Sequence, residues 1–225
     1  MSVYGTNPQY IIGAMRQVEL CKTLMPGWRV RIYTDNAISF HSICDQIDVI
    51  EVTDGSFGMF WRFRPMWESS DNIVVVRDSD SRVTIREAKA VNEWLDSNCN
   101  FHVIKDHPAL YDWPINGGLF GYRGQLTNEL WNSLMYYQHQ GHHYTLDQIW
   151  LRDCMWPVVA STACMHSMQS PGWFSQTRDQ LRNKLDFCGN GYTENDLPIY
   201  PCDVDPNWDP KSVTEADKFD MGNML

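Results

Sequence analysis

The chain has no uninterrupted apolar run approaching the ~20 residues that a bilayer-spanning helix requires. Its start, Met1-Ser2-Val3-Tyr4-Gly5, lacks the basic-then-apolar order of a secretory signal. No membrane span and a cytoplasmic location are the expectations. Paired-cysteine spacing is also missing. Seven cysteines, an odd number, lie scattered without C-x-x-C or zinc-type intervals, which favours reduced packing thiols over a disulfide framework. Positive charge is scarce: 18 Lys and Arg against 28 Asp and Glu give a net charge of -10, which argues against a broad phosphate-binding face and against nucleic acid as a partner. There is no internal repeat.

What is present describes a globular protein. At 225 residues the chain is long enough for one large domain, or a domain with an appendage. Ten tryptophans and ten tyrosines are many for this length. Core packing accounts for such rings, and exposed ones also suit the flat faces of sugars.

The chain is organised around Ile73-Val74-Val75-Val76-Arg77-Asp78-Ser79-Asp80-Ser81-Arg82. Four consecutive apolar, mostly β-branched residues read as a strand buried on both faces. Two carboxylates follow at once, and in open α/β sheets ligands sit outside the carboxyl ends of the strands. Asp78 and Asp80 so close together repel unless a cation lies between them, and Mg²⁺ or Mn²⁺ suits all-oxygen ligands. An acidic metal clip is one reading; an acidic turn capping the next helix is the other. Arg77 and Arg82 flank the pair, either as partners of the carboxylates or facing a diphosphate.

Around this stretch strands and helices alternate. Val3-Tyr4 ends a very short first strand, since almost nothing precedes it. Asn7-Pro8 then opens an amphipathic helix carrying Ile11, Met15 and Val18 and closed by Pro26-Gly27. Arg29 to Thr34 alternates as a strand ending at Asp35, and Asp48 to Val52 reads as another. Gly58-Met59-Phe60-Trp61-Arg62-Phe63 opens an aromatic helix. Thr84-Ile85-Arg86-Glu87 has the form of a capping box. The strand Phe101 to Ile104 leads to Asp106-His107-Pro108. Paired glycines in Ile115-Asn116-Gly117-Gly118-Leu119-Phe120-Gly121-Tyr122 imply close backbone approach by a ligand or a neighbouring segment. Thr127 caps a helix, Thr145 to Met155 forms another with Asp147-Gln148 in its first turn, and Val158 to Met165 reads as a last strand delivering His166. Beyond Ser167 periodicity fades and Asp203, Asp205 and Asp209 form an acidic run. The expected fold is an α/β/α sandwich with a mainly parallel central sheet, residues 1–166 forming the core and 167–225 an extension packed on it or partly disordered.

This order of motifs resembles the glycosyltransferases of the GT-A fold, the nucleotide-sugar-dependent class with a D-x-D motif. The resemblance is carried by Tyr4-Gly5 with Asn7-Pro8, Pro26-Gly27-Trp28, Gly58 to Phe63, Arg77 to Arg82, Arg86-Glu87-Ala88, Asp106-His107-Pro108, Gly117-Gly118, Asp147-Gln148 and His166, over roughly the first three quarters of the chain. It implies a UDP- or GDP-sugar donor, a glycan or glycoconjugate acceptor, and Mn²⁺ or Mg²⁺ held by Asp78, Asp80 and His166. Asp80 is then the direct ligand, with Asp78 toward the ribose or a metal-bound water. The donor side would comprise Tyr4, Gly5, Asp35, Arg62, Arg77, Asp78, Asp80, Gly117, Gly118 and Gln148. If transfer inverts the anomeric centre, Asp147 is the general base on the acceptor hydroxyl. The alternatives are a haloacid-dehalogenase-like phosphatase with Asp78 as nucleophile, and a non-catalytic carbohydrate-binding protein. The first usually carries its D-x-D near the start of the chain; the second leaves the buried-strand carboxylates unexplained.

Overall fold

The computed structural model describes residues 1–40, 47–68, 73–168 and 187–200. Among the described residues seven strands fall into two sheets. β1 (Ser2–Val3), β2 (Val30–Thr34) and β3 (Ile47–Glu51) form a parallel sheet in the order β1-β2-β3. β4 (Ile73–Arg77), β5 (Phe101–Lys105), β6 (Leu119–Arg123) and β7 (Ala163–Ser167) form the other, in the order β4-β6-β5-β7. In it β6 runs against both neighbours while β5 and β7 are parallel. The α/β class holds. The single mainly parallel sheet becomes one parallel sheet and one mixed sheet, because β6 enters as an antiparallel strand between β4 and β5.

Local chemistry explains most of the helices. In α1 (Pro8–Leu24), Asn7 caps the Gln9 amide at 3.0 Å, Pro8 fills the first turn where no amide partner is needed, and Gly27 takes the left-handed conformation just past the end. Gly58–Phe63 is a tight 3₁₀ segment rather than an α-helix, continued by the single turn α2 (Pro65–Glu68). In α3 (Ile85–Leu95), Thr84 accepts from the Glu87 amide at 3.0 Å. The Glu87 carboxylate does not complete the box; it turns to Arg77, an ion pair buried beneath α3.

After α4 (Asn128–Tyr137, capped by Thr127), the chain enters α5 (Leu146–Trp150), a π-helical turn over Leu151–Met155, and α6 (Trp156–Val159). The helix thus extends past the expected stop at Met155, and the last strand begins at Ala163 rather than Val158. Pro157 gives the reason: it has no amide to donate and its ring crowds the preceding turn, and the wider π turn ahead of it accommodates both effects.

Strand β4 packs on both faces but is less buried than its composition predicts: Ile73 at its start is exposed, Val74 and Val75 are half-buried, and Val76 is buried. Val74 and Val76 pack into the largest core, with Phe63, Phe101, Phe120, Leu134 and Trp150, while Val75 packs with Val83, Val91 and Trp94 under α3. Truncating one of the large buried rings would cost about 3–5 kcal/mol, so this two-sided core holds the end of β4 in place. The described part of the expected extension, residues 187–200, packs against the carboxyl end of β4. Residues 169–186 and 201–225, with Asp203, Asp205 and Asp209, lie outside the described residues.

Candidate active site

The Asp78-Ser79-Asp80 turn leaves β4 beneath one face of α1. Gln9, Gly13 and Gln17 lie four residues apart and therefore line up along that helix. Gln9 Nε2 donates to Asp80 Oδ2 at 3.1 Å. Gly13 sits directly on the turn: a Cβ there would collide with the Ser79 carbonyl and lie 3.0 Å from Asp80 Cα. Gln17 is buried, donates to Ser81 Oγ at 2.8 Å and to the Asp78 carbonyl at 3.2 Å, and accepts from the Val83 amide at 2.8 Å. The other side of the turn is pinned as well. Tyr192 N donates to the Asp80 carbonyl at 2.9 Å, and Arg82 Nη1 donates to the Asp80 and Ser81 carbonyls. With its backbone fixed from both sides, the turn presents its carboxylates at little further cost in ordering.

Behind the turn lies an acidic cluster with one cation. The Arg62 guanidinium donates to Asp78 Oδ1 through Nη1 and to Asp147 Oδ2 through Nη2. Asp147 is buried, and its Oδ1 has no hydrogen-bond partner among the described residues. Burial raises the Asp147 acid above the usual carboxylate range, opposed by Arg62. Asp80 is pushed up to about 6, by burial first and then by the neighbouring Asp78 charge. The paired glycines make room for this cluster. A Cβ on Gly117 would lie 3.1 Å from Asp147 Oδ2, and one on Gly118 would overlap the Asp78 carboxylate. The close approach expected from the sequence is thus made by side chains of this cluster. Gln148, with its amide oriented to satisfy both neighbours, donates to the Ile115 carbonyl at 2.9 Å and accepts from Gly117 N at 3.0 Å, bracing the glycine loop.

These groups face a cleft of about 360 Å³. Tyr4, Arg62, Asp78, Asp80, Gly117, Asp147 and Gln148 all line it, as do Tyr10, Asn116, Tyr144 and Tyr200. Arg62 is the one cationic side chain in the described lining, and both its terminal nitrogens are already taken. Residues 187–200 close one wall. Phe187 stacks on His107 with ring centres 4.1 Å apart, Cys188 N donates to the buried Asp106 carboxylate at 2.9 Å, and Arg82 pairs with Asp196 at 2.9 Å. Asp106 also holds Arg86, so the Asp-His-Pro stretch behaves as a hydrogen-bonded turn supporting this wall.

Several expected site residues lie elsewhere. Gly5 N donates to both oxygens of Asp35, at 3.0 and 3.1 Å, and neither residue lines the cleft. Arg77 points to the opposite side of the strand from Asp78 and is held by Glu87 and the carbonyls of Val76 and Phe120. His166 is not brought to the carboxylates. It lies on β7, the edge opposite β4, with Nδ1 2.9 Å from His102 Nε2 and Nε2 2.8 Å from Glu93 Oε2. Among the described residues no group of three or more His, Cys, Asp or Glu side chains is arranged to hold a metal ion, and the expected grouping of His166 with Asp78 and Asp80 is corrected: His166 sits with His102 and Glu93 instead. Sequence reasoning missed Gln9, Gly13 and Gln17, Asn116, and the tyrosines at 10, 144 and 200. Only the first set left a signal: Gln9, Gly13 and Gln17 recur at four-residue spacing along one face of the amphipathic helix.

No family model matches the chain, and no curated protein matches it. Among solved structures it is similar to a glycosyltransferase involved in the glycosylation of the major capsid of PBCV-1. The identity is 15%, the TM-score 0.42, and the match covers 76% of this chain and 82% of that one. A likeness that loose carries no argument about fold or activity. The geometry of the cleft has to carry it alone.

Proposed function

We propose that this protein is a metal-dependent glycosyltransferase of the GT-A kind, moving a sugar from a nucleotide-diphosphate donor to a glycan or glycoconjugate acceptor. One observation carries the reading: a rigid pair of carboxylates at the end of a buried strand lines a cleft whose single described cation is already paired twice. An anionic diphosphate cannot enter such a cleft unaided, because three aspartates face one guanidinium. A hard divalent cation reverses that balance, and Mg²⁺ is commonly bound by one or two carboxylates together with substrate phosphates. The donor set fits: Asp78 and Asp80 are oxygen ligands on one short turn, and burial first, then the neighbouring Asp78 charge, raises the Asp80 acid.

In this reading Asp78 and Asp80 hold the cation, which, when bound, stabilises the charge that develops on the departing nucleoside diphosphate. Arg62 locks Asp78 and Asp147 in fixed relative positions. Gly117 and Gly118 let that cluster reach the cleft floor. Asp147 Oδ1, buried and unpartnered, accepts from a substrate hydroxyl; if transfer inverts the anomeric carbon, the same oxygen takes the proton of the acceptor hydroxyl, a role helped by its raised pKa.

The test is a thermal-shift screen of UDP- and GDP-sugars with and without Mn²⁺, since a ligand that binds only the folded state raises its melting temperature. A shift that needs both the metal and one nucleotide class is expected. Folded protein that shifts with no donor in Mn²⁺ sinks the reading.

A further inference from the structure

Among the described residues five aromatic side chains are classed as exposed: Tyr4, Tyr10, Tyr136, Tyr144 and Tyr200. Four of the five line the one cleft that holds Asp78 and Asp80. They come from four separate places in the chain: the residue after β1, the first turn of α1, the approach to α5, and the segment closing the wall. A ring left in water forgoes the stabilisation of burial, and scattered single rings need no explanation. Convergence of four on one acidic cleft does.

We infer that Tyr10, Tyr144 and Tyr200 form a stacking platform for a neutral pyranose, the acceptor sugar of the transfer proposed above, on which this inference rests. Their exposures, 37%, 68% and 54%, place them at the rim, while Arg62 and Asp147 at 8% and 0% form the floor. The three are neighbours in one electrostatic environment. Tyr144 feels Asp78, Asp80, Tyr10 and Tyr200, and Tyr10 feels Asp78, Asp80 and Tyr200, so all of these groups surround the same space. The Tyr10 and Tyr144 phenols can both donate to and accept from hydroxyls.

The rings rest on fixed backbone. Tyr10 lies in the first turn of α1, where its amide reaches the Asn7 carbonyl at 3.2 Å. Tyr200 is clamped at both backbone groups by one buried side chain: Asn190 Nδ2 donates to the Tyr200 carbonyl at 3.0 Å and Asn190 Oδ1 accepts from Tyr200 N at 3.2 Å. A buried asparagine holding an exposed ring in place is a device for presenting that ring.

The chemistry of the lining selects the ligand. Among the described residues no lysine or histidine lines the cleft, and both terminal nitrogens of its one arginine are paired with aspartates, so the charge that meets a uronate, a sialate or a phosphopeptide there is mainly that of carboxylates. A pyranose has one apolar C–H face to lay on a phenol ring and hydroxyls at its edge for the phenols and for Asn116, whose amide is steadied by the Leu110 carbonyl at 2.8 Å. A cationic group would also be drawn to tyrosines and aspartates, but it would compete with the divalent ion for Asp80 and leave Asn116 without a role.

The experiment is saturation-transfer NMR on the full chain with methyl glucoside, galactoside and mannoside, and with glucuronate and tetramethylammonium as charged comparisons. Saturation is expected on the C–H face of at least one neutral pyranoside. Tyr144→Ala and Tyr200→Ala should each weaken its binding about 3- to 10-fold, while Tyr→Phe at either position retains most of it, because the ring supplies the stacking. The inference is overturned if no neutral pyranoside receives saturation, if the alanine variants bind like the parent, or if tetramethylammonium alone binds. The donor screen keeps the two ideas separable. A metal-dependent donor shift without pyranoside contact overturns the platform and leaves the transferase. Pyranoside contact that depends on the tyrosines, without any donor shift, keeps the platform and removes the transferase.

Discussion

Replacing Asp80 by asparagine should make the protein more stable and should weaken the Mn²⁺ binding proposed for this turn. Asp80 is pushed up to about 6 from a usual 3.8 by burial and by Asp78. Each unit is worth about 1.4 kcal/mol, so keeping the carboxylate ionised in the folded protein costs about 3 kcal/mol at most. Water at the cleft mouth reduces this to about 1–3 kcal/mol. The sign follows from proton uptake. Between pH 4 and 6 the folded state holds a proton that the unfolded chain releases, so this site destabilises fully above pH 6, and stability recovers as pH falls from 6 toward 4. Asparagine mimics the protonated acid, and its amide oxygen still accepts from Gln9. The assay is urea unfolding of parent and Asp80→Asn at pH 7.5 and pH 4.5 without metal, with melting temperature as a second readout at about 2–4 °C per kcal/mol. The variant should be the more stable at pH 7.5 and close to the parent at pH 4.5, and Mn²⁺ with nucleotide should stabilise only the parent. Equal stability at pH 7.5, or a gain that persists undiminished at pH 4.5, refutes the reasoning.

Two further outcomes follow from the same site. Arg62→Met should destabilise by about 3–5 kcal/mol, because it strands the buried Asp147 carboxylate; adding Asp147→Leu should restore much of the loss, which chemical denaturation of the two variants would measure. Gln17→Leu removes three hydrogen bonds that fix the Asp78–Val83 backbone and should cost about 2–4 kcal/mol. If the turn is held ready by α1, its loss of Mn²⁺-dependent donor affinity, read by calorimetry at a temperature where it remains folded, should exceed that of a core variant of equal stability.

What could be read in the sequence was local. Asn7-Pro8 and Thr84 cap the helices that follow them, and the apolar run at Ile73–Val76 is a strand packed on both sides, though exposed at Ile73. Each of these is decided by a few adjacent residues. What depends on distant partners was not legible. Ile115 to Tyr122 shows in the sequence only the close approach implied by its paired glycines, yet Leu119–Arg123 is an antiparallel strand whose Gly121 is required because the Trp94 ring of α3 lies 2.6 Å from where its Cβ would stand. Val158 has the composition of a strand but is drawn into a helix that a π turn carries across Pro157. Asp78, Asp80 and Asp147 were picked out by type and position, and the structure places them in one cleft. His166 was assigned by its place near the end of a strand, and nothing in its sequence neighbourhood reveals that His102 and Glu93 take both its nitrogens.

The stripe of Gln9, Gly13 and Gln17 also bears on how this chain can change over time. An added or lost residue between Asn7 and Gln17 would turn part of the stripe by about 100° around the helix and swing a bulky side chain into the space Gly13 leaves for Ser79. Substitutions on the outer face of α1 are unconstrained by that contact, whereas length changes in this interval are not. Through this helix, the Asp78-Ser79-Asp80 turn sets the spacing of a segment some seventy residues earlier in the chain.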